Sequence, residues 1–236
     1  MTTSDPLTRQ TWRNLVALHW AIPGDALRPH LPPRLTPALL EGHCRITLSA
    51  FEVGKVEVDS PLPIPNLAPF SQIEIRTYVQ DESGTVGVWY LSLGASSLAA
   101  ATAARAAFGL DYKTVAVSVV SDRAEEPLVR VEARAERPDP ISCTVEVRGA
   151  AVTAAVAPGS LDELLIAPSR AWIARGNELG TIETVRTPAR VSRGTVELLD
   201  ETWLWSLGIR RPASAALAHV VREENVAIFA PTMMRP

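Results

Sequence analysis

Glu74 and Arg76 lie two positions apart in the alternating run Gln72-Ile73-Glu74-Ile75-Arg76-Thr77-Tyr78-Val79. Successive side chains of a strand point to opposite faces, so the carboxylate and the guanidinium share one face with Gln72 and Tyr78. Such a pair can line a cavity, with Glu74 accepting a proton and Arg76 holding an anion. It can also close on itself as a structural ion pair on a solvated face. Lys113 is the second candidate. Of 23 basic residues only two are lysines, Lys55 and Lys113; a GC-rich coding bias toward arginine explains the imbalance. A lysine in the wall of an apolar cavity loses solvation and its pKa falls. Its neutral amine can then attack a ketone or act as a base, and its charged form can hold a carboxylate or enolate. The plain alternative is a surface lysine at a strand edge. Trp20, Trp89, Tyr90 and Trp172 are candidates for the wall of a ligand pocket, or for core. His19 shares a strand face with Leu15 and Ala17, the setting of a hydrogen-bonded core histidine or of a ligand contact.

These side chains need a scaffold, and most of the chain reads as strand. Leu15–Trp20 is a short apolar run, ended by Pro23-Gly24. Four prolines between Ala26 and Leu40 allow at most a short helix before an extended loop. Arg45–Phe51 is strand-like. Pro61, Pro63, Pro65 and Pro69 forbid a regular ladder, so that stretch is expected to be a surface loop or a lid. The Glu74 run and Thr85–Leu93 form a hairpin across Asp81-Glu82-Ser83-Gly84. Ser96 and Ser97 can cap an alanine-rich helix to Phe108, stopped by Gly109. Its small side chains suit close packing on a sheet. Strands are expected at Thr114–Val120, Val129–Glu136, Ile141–Val147, Arg170–Ala174, Thr181–Val191 and Asn225–Phe229. Ser160 and Glu163 make a capping box. Leu199, Trp203 and Leu207 fall on one helical stripe, which predicts a helix over Val196–Leu207. Nine to eleven strands with three short, scattered helices exclude a parallel βαβ sheet. The expected class is α+β, with mostly antiparallel sheets curled toward a β-cone or barrel.

Composition narrows the function. A chain of 236 residues, 47% hydrophobic and 21% charged, can bury a sizeable core, and it is read as one domain over residues 1–236. A net charge of −3 gives no basic field for nucleic acid. Cys44 and Cys143 make no ligand pattern, and His19, His30, His43 and His219 show no metal spacing, so no metal site is expected. There is no GxGxxG turn, phosphate loop or GxSxG elbow. The first ten residues do not read as a signal peptide, and no run suits a membrane span. The expectation is a soluble, cytoplasmic protein that needs no cofactor and binds neither nucleic acid nor membrane. Its partner is a small molecule, and Trp203-Leu204-Trp205 could build a homo-oligomer face.

Six segments, by their order and spacing, carry a resemblance. They are Asn14-Leu15-Val16 with Leu18-His19-Trp20; Leu27-Arg28-Pro29 with Leu31-Pro32-Pro33; Ile75-Arg76-Thr77-Tyr78-Val79; Gly87-Val88-Trp89-Tyr90 with Ser92-Leu93; Phe108-Gly109-Leu110 with Tyr112; and Pro158-Gly159-Ser160-Leu161. Together they resemble the YqjF-like proteins, relatives of the acetoacetate decarboxylase fold, over nearly the whole chain. The resemblance implies a β-cone or barrel around a buried, partly apolar cavity. Acetoacetate decarboxylases use a lysine that forms a Schiff base, its pKa lowered by an adjacent lysine. The matching place here is Tyr112-Lys113: aligned directly, Tyr112 takes the nucleophile's position and Lys113 the second lysine's; a one-residue slip puts the nucleophile at Lys113. The decarboxylase's acidic residue and N-terminal arginine match Thr47 and Gln10, so the apparatus is at best partial. YqjF-like proteins carry histidine in place of Lys113 and an uncharged polar residue in place of Glu74.

The expected activity is small-molecule chemistry on a carbonyl or β-keto, polyketide-like metabolite: decarboxylation, aldol or dehydration, or cyclisation. Lys113 would be nucleophile or base, with Tyr112 at the matching position, Glu74 the proton shuttle and Arg76 the anion clamp. Trp89, Tyr90, His19, Trp20 and Trp172 would contact substrate. A non-catalytic binding protein for an apolar ligand, or a barrel filled by its own side chains, are the alternatives.

Overall fold

The computed structural model describes residues 5–58, 67–136, 140–187, 190–214 and 216–234. The proline-rich stretch expected as a lid lies largely outside them. The chain begins with β1 (Thr8–Ile22), α1 (Gly24–Leu27), β2 (Thr36–Pro37), β3 (Cys44–Val58), β4 (Phe70–Gln80) and β5 (Val86–Ala95). It continues with α2 (Leu98–Phe108), β6 (Tyr112–Thr114), β7 (Ala116–Ser121), β8 (Leu128–Ala135), β9 (Ile141–Gly149) and β10 (Ala154–Ala155). The last third holds α3 (Leu161–Ile166), β11 (Arg170–Arg175), β12 (Glu178–Arg186), β13 (Arg190–Glu201), α4 (Trp203–Ser206), β14 (Leu217–Ile228) and β15 (Thr232–Met233).

All strands belong to one sheet, ordered β15-β12-β11-β5-β4-β3-β1-β14-β13-β9-β8-β7 along its main path. Most pairings are antiparallel; β5 pairs parallel with both β6 and β11. One edge of β14 is shared: Ala218–Val221 pair with β13, and Val226–Ile228 pair with β12. The second pairing brings the sheet back on itself, so that β12, β11, β5, β4, β3, β1 and β14 curl in a ring.

Leu15–Trp20 of β1, Ile46–Phe51 of β3 and Gln72–Val79 of β4 are buried on both faces. Val16, Leu18, Trp20, Ile46, Leu48, Ile73 and Ile75 face outward from the ring into a core shared with Val117, Val131, Val145 and Trp203 of the second layer. Cys143 lies in that core, 1% exposed, as a small hydrophobe. The inner face carries Ala17, His19, Thr47, Ser49, Phe51, Gln72, Glu74, Arg76 and Tyr78. A bulge between Arg13 and Val16, with Asn14 at φ +52°, shifts the phase of β1 between its two halves. Asparagine tolerates this left-handed conformation better than most residues.

The alanine-rich helix forms as expected: Ser97 accepts a hydrogen bond from Ala100 N, and Gly109 ends the helix at φ +70°. Ser160 caps α3 as expected, accepting from Glu163 N, while the Glu163 carboxylate accepts from Gly159 N rather than from Ser160 N. The helix expected over Val196–Leu207 does not form. Residues 196–201 are strand, paired to β9 with a bulge between Val196 and Leu198, and only Trp203–Ser206 is helical. The Leu199–Trp203–Leu207 spacing straddles a strand end and a single helical turn, and sheet pairing overrides it.

Candidate functional site

Within the ring lies a cavity of about 480 Å³. Gln10 and Trp12 enter it from β1, Phe70 and Gln72 from β4, and Val88 and Tyr90 from β5. Tyr112 comes from β6, and Thr184 and Arg186 from β12. Helix α2 covers one side with Ala100, Ala103, Ala104, Ala106, Ala107 and Phe108. From the sequence, these alanines are expected to serve close packing. They instead leave room: larger side chains there would occupy the space.

The polar end is built on β4. Tyr112 donates its hydroxyl proton to Gln72 Oε1 at 3.1 Å. Gln72 Nε2 donates to Glu74 Oε2 at 3.2 Å. Glu74 Oε1 accepts from Ser49 Oγ at 2.8 Å and from Arg76 Nη1. Glu74 and Arg76 are each 1% exposed, a buried ion pair rather than a solvated one. Burial opposes the Arg76 charge, but the Glu74 carboxylate, with Tyr78 and Tyr90, outweighs it, and the pKa of Arg76 is raised. Neither residue belongs to the cavity wall; they stand behind it.

Arg76 Nη2 donates to Leu165 O at 2.7 Å, and Tyr78 OH to the same oxygen at 2.9 Å. Leu165 is in the last turn of α3, where helix carbonyls lack partners. The neighbouring Ile166 O accepts from Arg186 Nη1 at 3.2 Å. Two buried arginines thus close the C-terminus of α3, each beside its own carboxylate. Arg186 Nη1 lies 2.8 Å from Glu224 Oε1, and its guanidinium carbon 4.6 Å from the Trp12 ring centroid. Trp12 itself stacks on Phe51 at 4.2 Å and donates to Gln10 Oε1 at 2.7 Å.

Burial raises the pKa of both cavity phenols. Tyr112 is pushed well up by desolvation, then by Tyr90 and Glu74; Tyr90 by desolvation, then by Glu74. The Tyr90 hydroxyl makes no hydrogen bond among the described residues, so its proton is free for a ligand.

A histidine column runs away from the cavity. Thr47 Oγ1 lies 2.9 Å from Tyr78 OH and 2.7 Å from His19 Nδ1. His19 Nε2 lies 3.1 Å from His219 Nδ1, and His219 Nε2 stands 3.2 Å from Asp162 Oδ1. Desolvation lowers the pKa of both rings. For His19, His219 and Arg76 add to it; for His219 Asp162 pulls back, leaving a value of about 4. Both are neutral at pH 7.

The expected site residues therefore separate into five places. Tyr112 and Tyr90 line the cavity. Glu74 and Arg76 support its polar end, and His19 lies deeper in the column. Trp20 is 2% exposed in the outward-facing core. Lys113 is exposed and lines a second depression of about 300 Å³ with Trp89, Tyr90, Asp111 and Trp172. Of the two positions implied by the family alignment, Gln10 lies in the cavity wall and Thr47 in the column. Arg186 and the alanine face of α2 were not anticipated. Gln72 could have been, since it shares the face of Glu74. Among the described residues, no group of three or more His, Cys, Asp or Glu side chains is placed to hold a metal ion. No helix there is long and apolar enough to cross a membrane.

Residues 9–225 match the DUF2071 family, described as an uncharacterized conserved protein. The chain belongs to the DUF2071 family. It is 25% identical to the uncharacterized protein YqjF of Bacillus subtilis (strain 168) over 229 residues, covering 93% of this chain and 89% of YqjF. The DUF2071 chain also superimposes on solved structures. The enduracididine biosynthesis enzyme MppR complexed with pyruvate gives a TM-score of 0.68 at 12% identity, over 98% of this chain and 91% of MppR. Acetoacetate decarboxylase from Legionella pneumophila gives 0.64 at 13%, over 98% and 88%. An acetoacetate decarboxylase-like enzyme from Sphingomonas wittichii RW1 gives 0.65 at 12%, over 98% and 94%. These likenesses establish for the DUF2071 chain the acetoacetate decarboxylase-like fold that its six segments implied.

Proposed function

We propose that this chain is a small-molecule enzyme of carbonyl chemistry. It holds a mostly apolar metabolite bearing a carbonyl or enolisable group, of β-keto or polyketide type, in the 480 Å³ cavity. The observation that carries this reading is the cavity's asymmetry. Its walls are mostly alanine, valine, leucine, isoleucine and phenylalanine, with Arg170 and Arg186 among them, and Gln72, Tyr90 and Tyr112 form a polar cluster backed by the Glu74–Arg76 pair. Apolar walls with a few convergent polar groups fix a ligand's orientation. The free Tyr90 hydroxyl can polarise a carbonyl oxygen, and the cavity can hold a flexible chain folded for cyclisation or dehydration. The MppR structure with pyruvate, a small carbonyl compound, on the same fold supports the reading. A Schiff base at Lys113 draws no support from the geometry, because that lysine lies in the outer depression while Tyr112 faces the cavity. Glu74 is a positioning residue here; Nη1 and Nη2 of Arg76 are directed to Glu74 and Leu165 O, and its buried Nε has no partner among the described residues.

One observation favours a second reading, a binding protein without turnover. Among the described residues, the ionisable side chains in the cavity wall are Tyr90, Tyr112, Arg170 and Arg186. None of these residue types ordinarily titrates near neutrality.

Thermal melts with β-keto acids, 1,3-dicarbonyls and cyclic ketones, followed by NMR of each stabilising compound for turnover, test both. Stabilisation with product formation supports the enzyme. Stabilisation without product leaves the binding protein. No stabilisation across the panel overturns both.

A further inference from the structure

The direction of the hydrogen bonds behind the cavity has a consequence for what can enter it. Arg76 is permanently charged and 1% exposed, so Glu74 beside it serves as the carboxylate counter-charge. A carboxylate only accepts hydrogen bonds. The Gln72 group 3.2 Å from Glu74 Oε2 must then be the amide nitrogen. The Gln72 oxygen consequently faces Tyr112, 3.1 Å away. An amide oxygen only accepts, so the Tyr112 hydroxyl must spend its single proton on it. What Tyr112 turns to the cavity is a lone pair. Tyr90, with no hydrogen bond among the described residues, keeps its proton for the ligand.

We propose that the Arg76–Glu74–Gln72 chain polarises the cavity, making Tyr112 an obligate acceptor and Tyr90 the donor, so that the site selects an apolar ligand whose polar end donates as well as accepts a hydrogen bond. An alcohol, or the enol form of a 1,3-dicarbonyl compound, meets this demand. A simple ketone satisfies Tyr90 and leaves Tyr112 facing another acceptor. Gln72 acts through Tyr112 and is a positioning residue. This selection rests on the cavity being the ligand site.

The test uses three molecules of nearly one shape. α-Tetralol donates and accepts, α-tetralone only accepts, and tetralin does neither. Their dissociation constants are measured by calorimetry on the full chain. The alcohol is expected to bind about tenfold more tightly than the ketone, the equivalent of one good hydrogen bond. Tyr112→Phe removes the acceptor and brings that ratio to about one by weakening the alcohol. Gln72→Met frees the Tyr112 proton and lowers the ratio in the opposite way, by strengthening the ketone. A merely structural Gln72 would weaken all three ligands together. Should Gln72→Met fail to fold, Tyr112→Phe decides alone. A wild-type ratio near one, a preference for the ketone, or a ratio that survives Tyr112→Phe overturns the polarity while leaving the cavity as ligand site. Absence of binding by all three overturns the cavity reading, and the selection with it.

Discussion

Tyr112 and Lys113 are adjacent in the chain and face opposite sides of one short strand. The tyrosine reaches the central cavity and bonds to Gln72; the lysine is exposed in the outer depression. A one-residue shift of register reverses every side chain of a strand. The pleat of β6, rather than residue type, decides which of the two meets a ligand in the cavity.

Lys113→Gln is therefore expected to leave cavity binding within about twofold of wild type, a change below 0.5 kcal/mol. Borohydride treatment with a β-keto acid is expected to yield no adduct on Lys113 that a cavity ligand protects against. Peptide mapping by mass spectrometry reads this directly. A protected adduct would restore the covalent mechanism.

Removing the Glu74 carboxylate leaves a buried guanidinium without its counter-charge. Glu74→Gln should cost about 3–5 kcal/mol of stability. Replacing both partners, Glu74→Met with Arg76→Met, should cost less than that single change, because no uncompensated charge remains. Urea unfolding of the two variants compares them. A single variant as stable as wild type would show that the pair contributes nothing.

The two histidines set an acid limit. Their folded pKa values lie below the ordinary value of 6.5, so the unfolded chain takes up protons first as pH falls. Stability is full above about pH 6.5 and declines toward pH 4. His219 alone should account for on the order of 1–2 kcal/mol between pH 7.5 and pH 5. Urea midpoints at the two pH values, for wild type and His219→Gln, isolate that share. The variant should lose less on acidification than wild type. Asp162→Asn should carry the decline below pH 4 rather than deepen the loss at pH 5, since Asp162 is the group that draws the His219 pKa upward.

Ala104 lies on the cavity face of α2. Ala104→Leu adds three carbons there without touching a polar group. Binding of tetralin-sized ligands should fall at least about tenfold, the fold staying intact by circular dichroism, as expected when added side-chain volume fills a ligand cavity. Unchanged affinity would place the ligand elsewhere.

Much of this architecture was legible because strands announce themselves by alternation. The β4–β5 hairpin, the α2 caps and the alternating Val129, Val131 and Ala133 of β8 were all visible in the sequence. The common face of Gln72, Glu74, Arg76 and Tyr78 was visible too. Burial of that face was not, since four polar residues in a row read as solvated. What hides them is ring closure between β12 and β14, a contact between residues about 40 positions apart that no local pattern encodes. Arg186 was missed for the same reason: its role depends on Glu224 and on the end of α3. Lys113 stood out by its rarity and by the position it shares with Tyr112 in the family resemblance, and neither determines the side of a strand.

The dimensions of the cavity and its chemical preference reside on different elements. The alanines of α2 set how much space there is, and α2 contributes nothing to the sheet ladder. Gln72 and Tyr112 set which hydrogen bond is accepted, through side chains alone. Substitutions on the helix can lengthen or shorten the admissible ligand while its functional group stays the same, and substitutions at Gln72 can do the reverse. On the proposed reading, ligand size and functional-group preference would change along two independent axes with the frame unaltered.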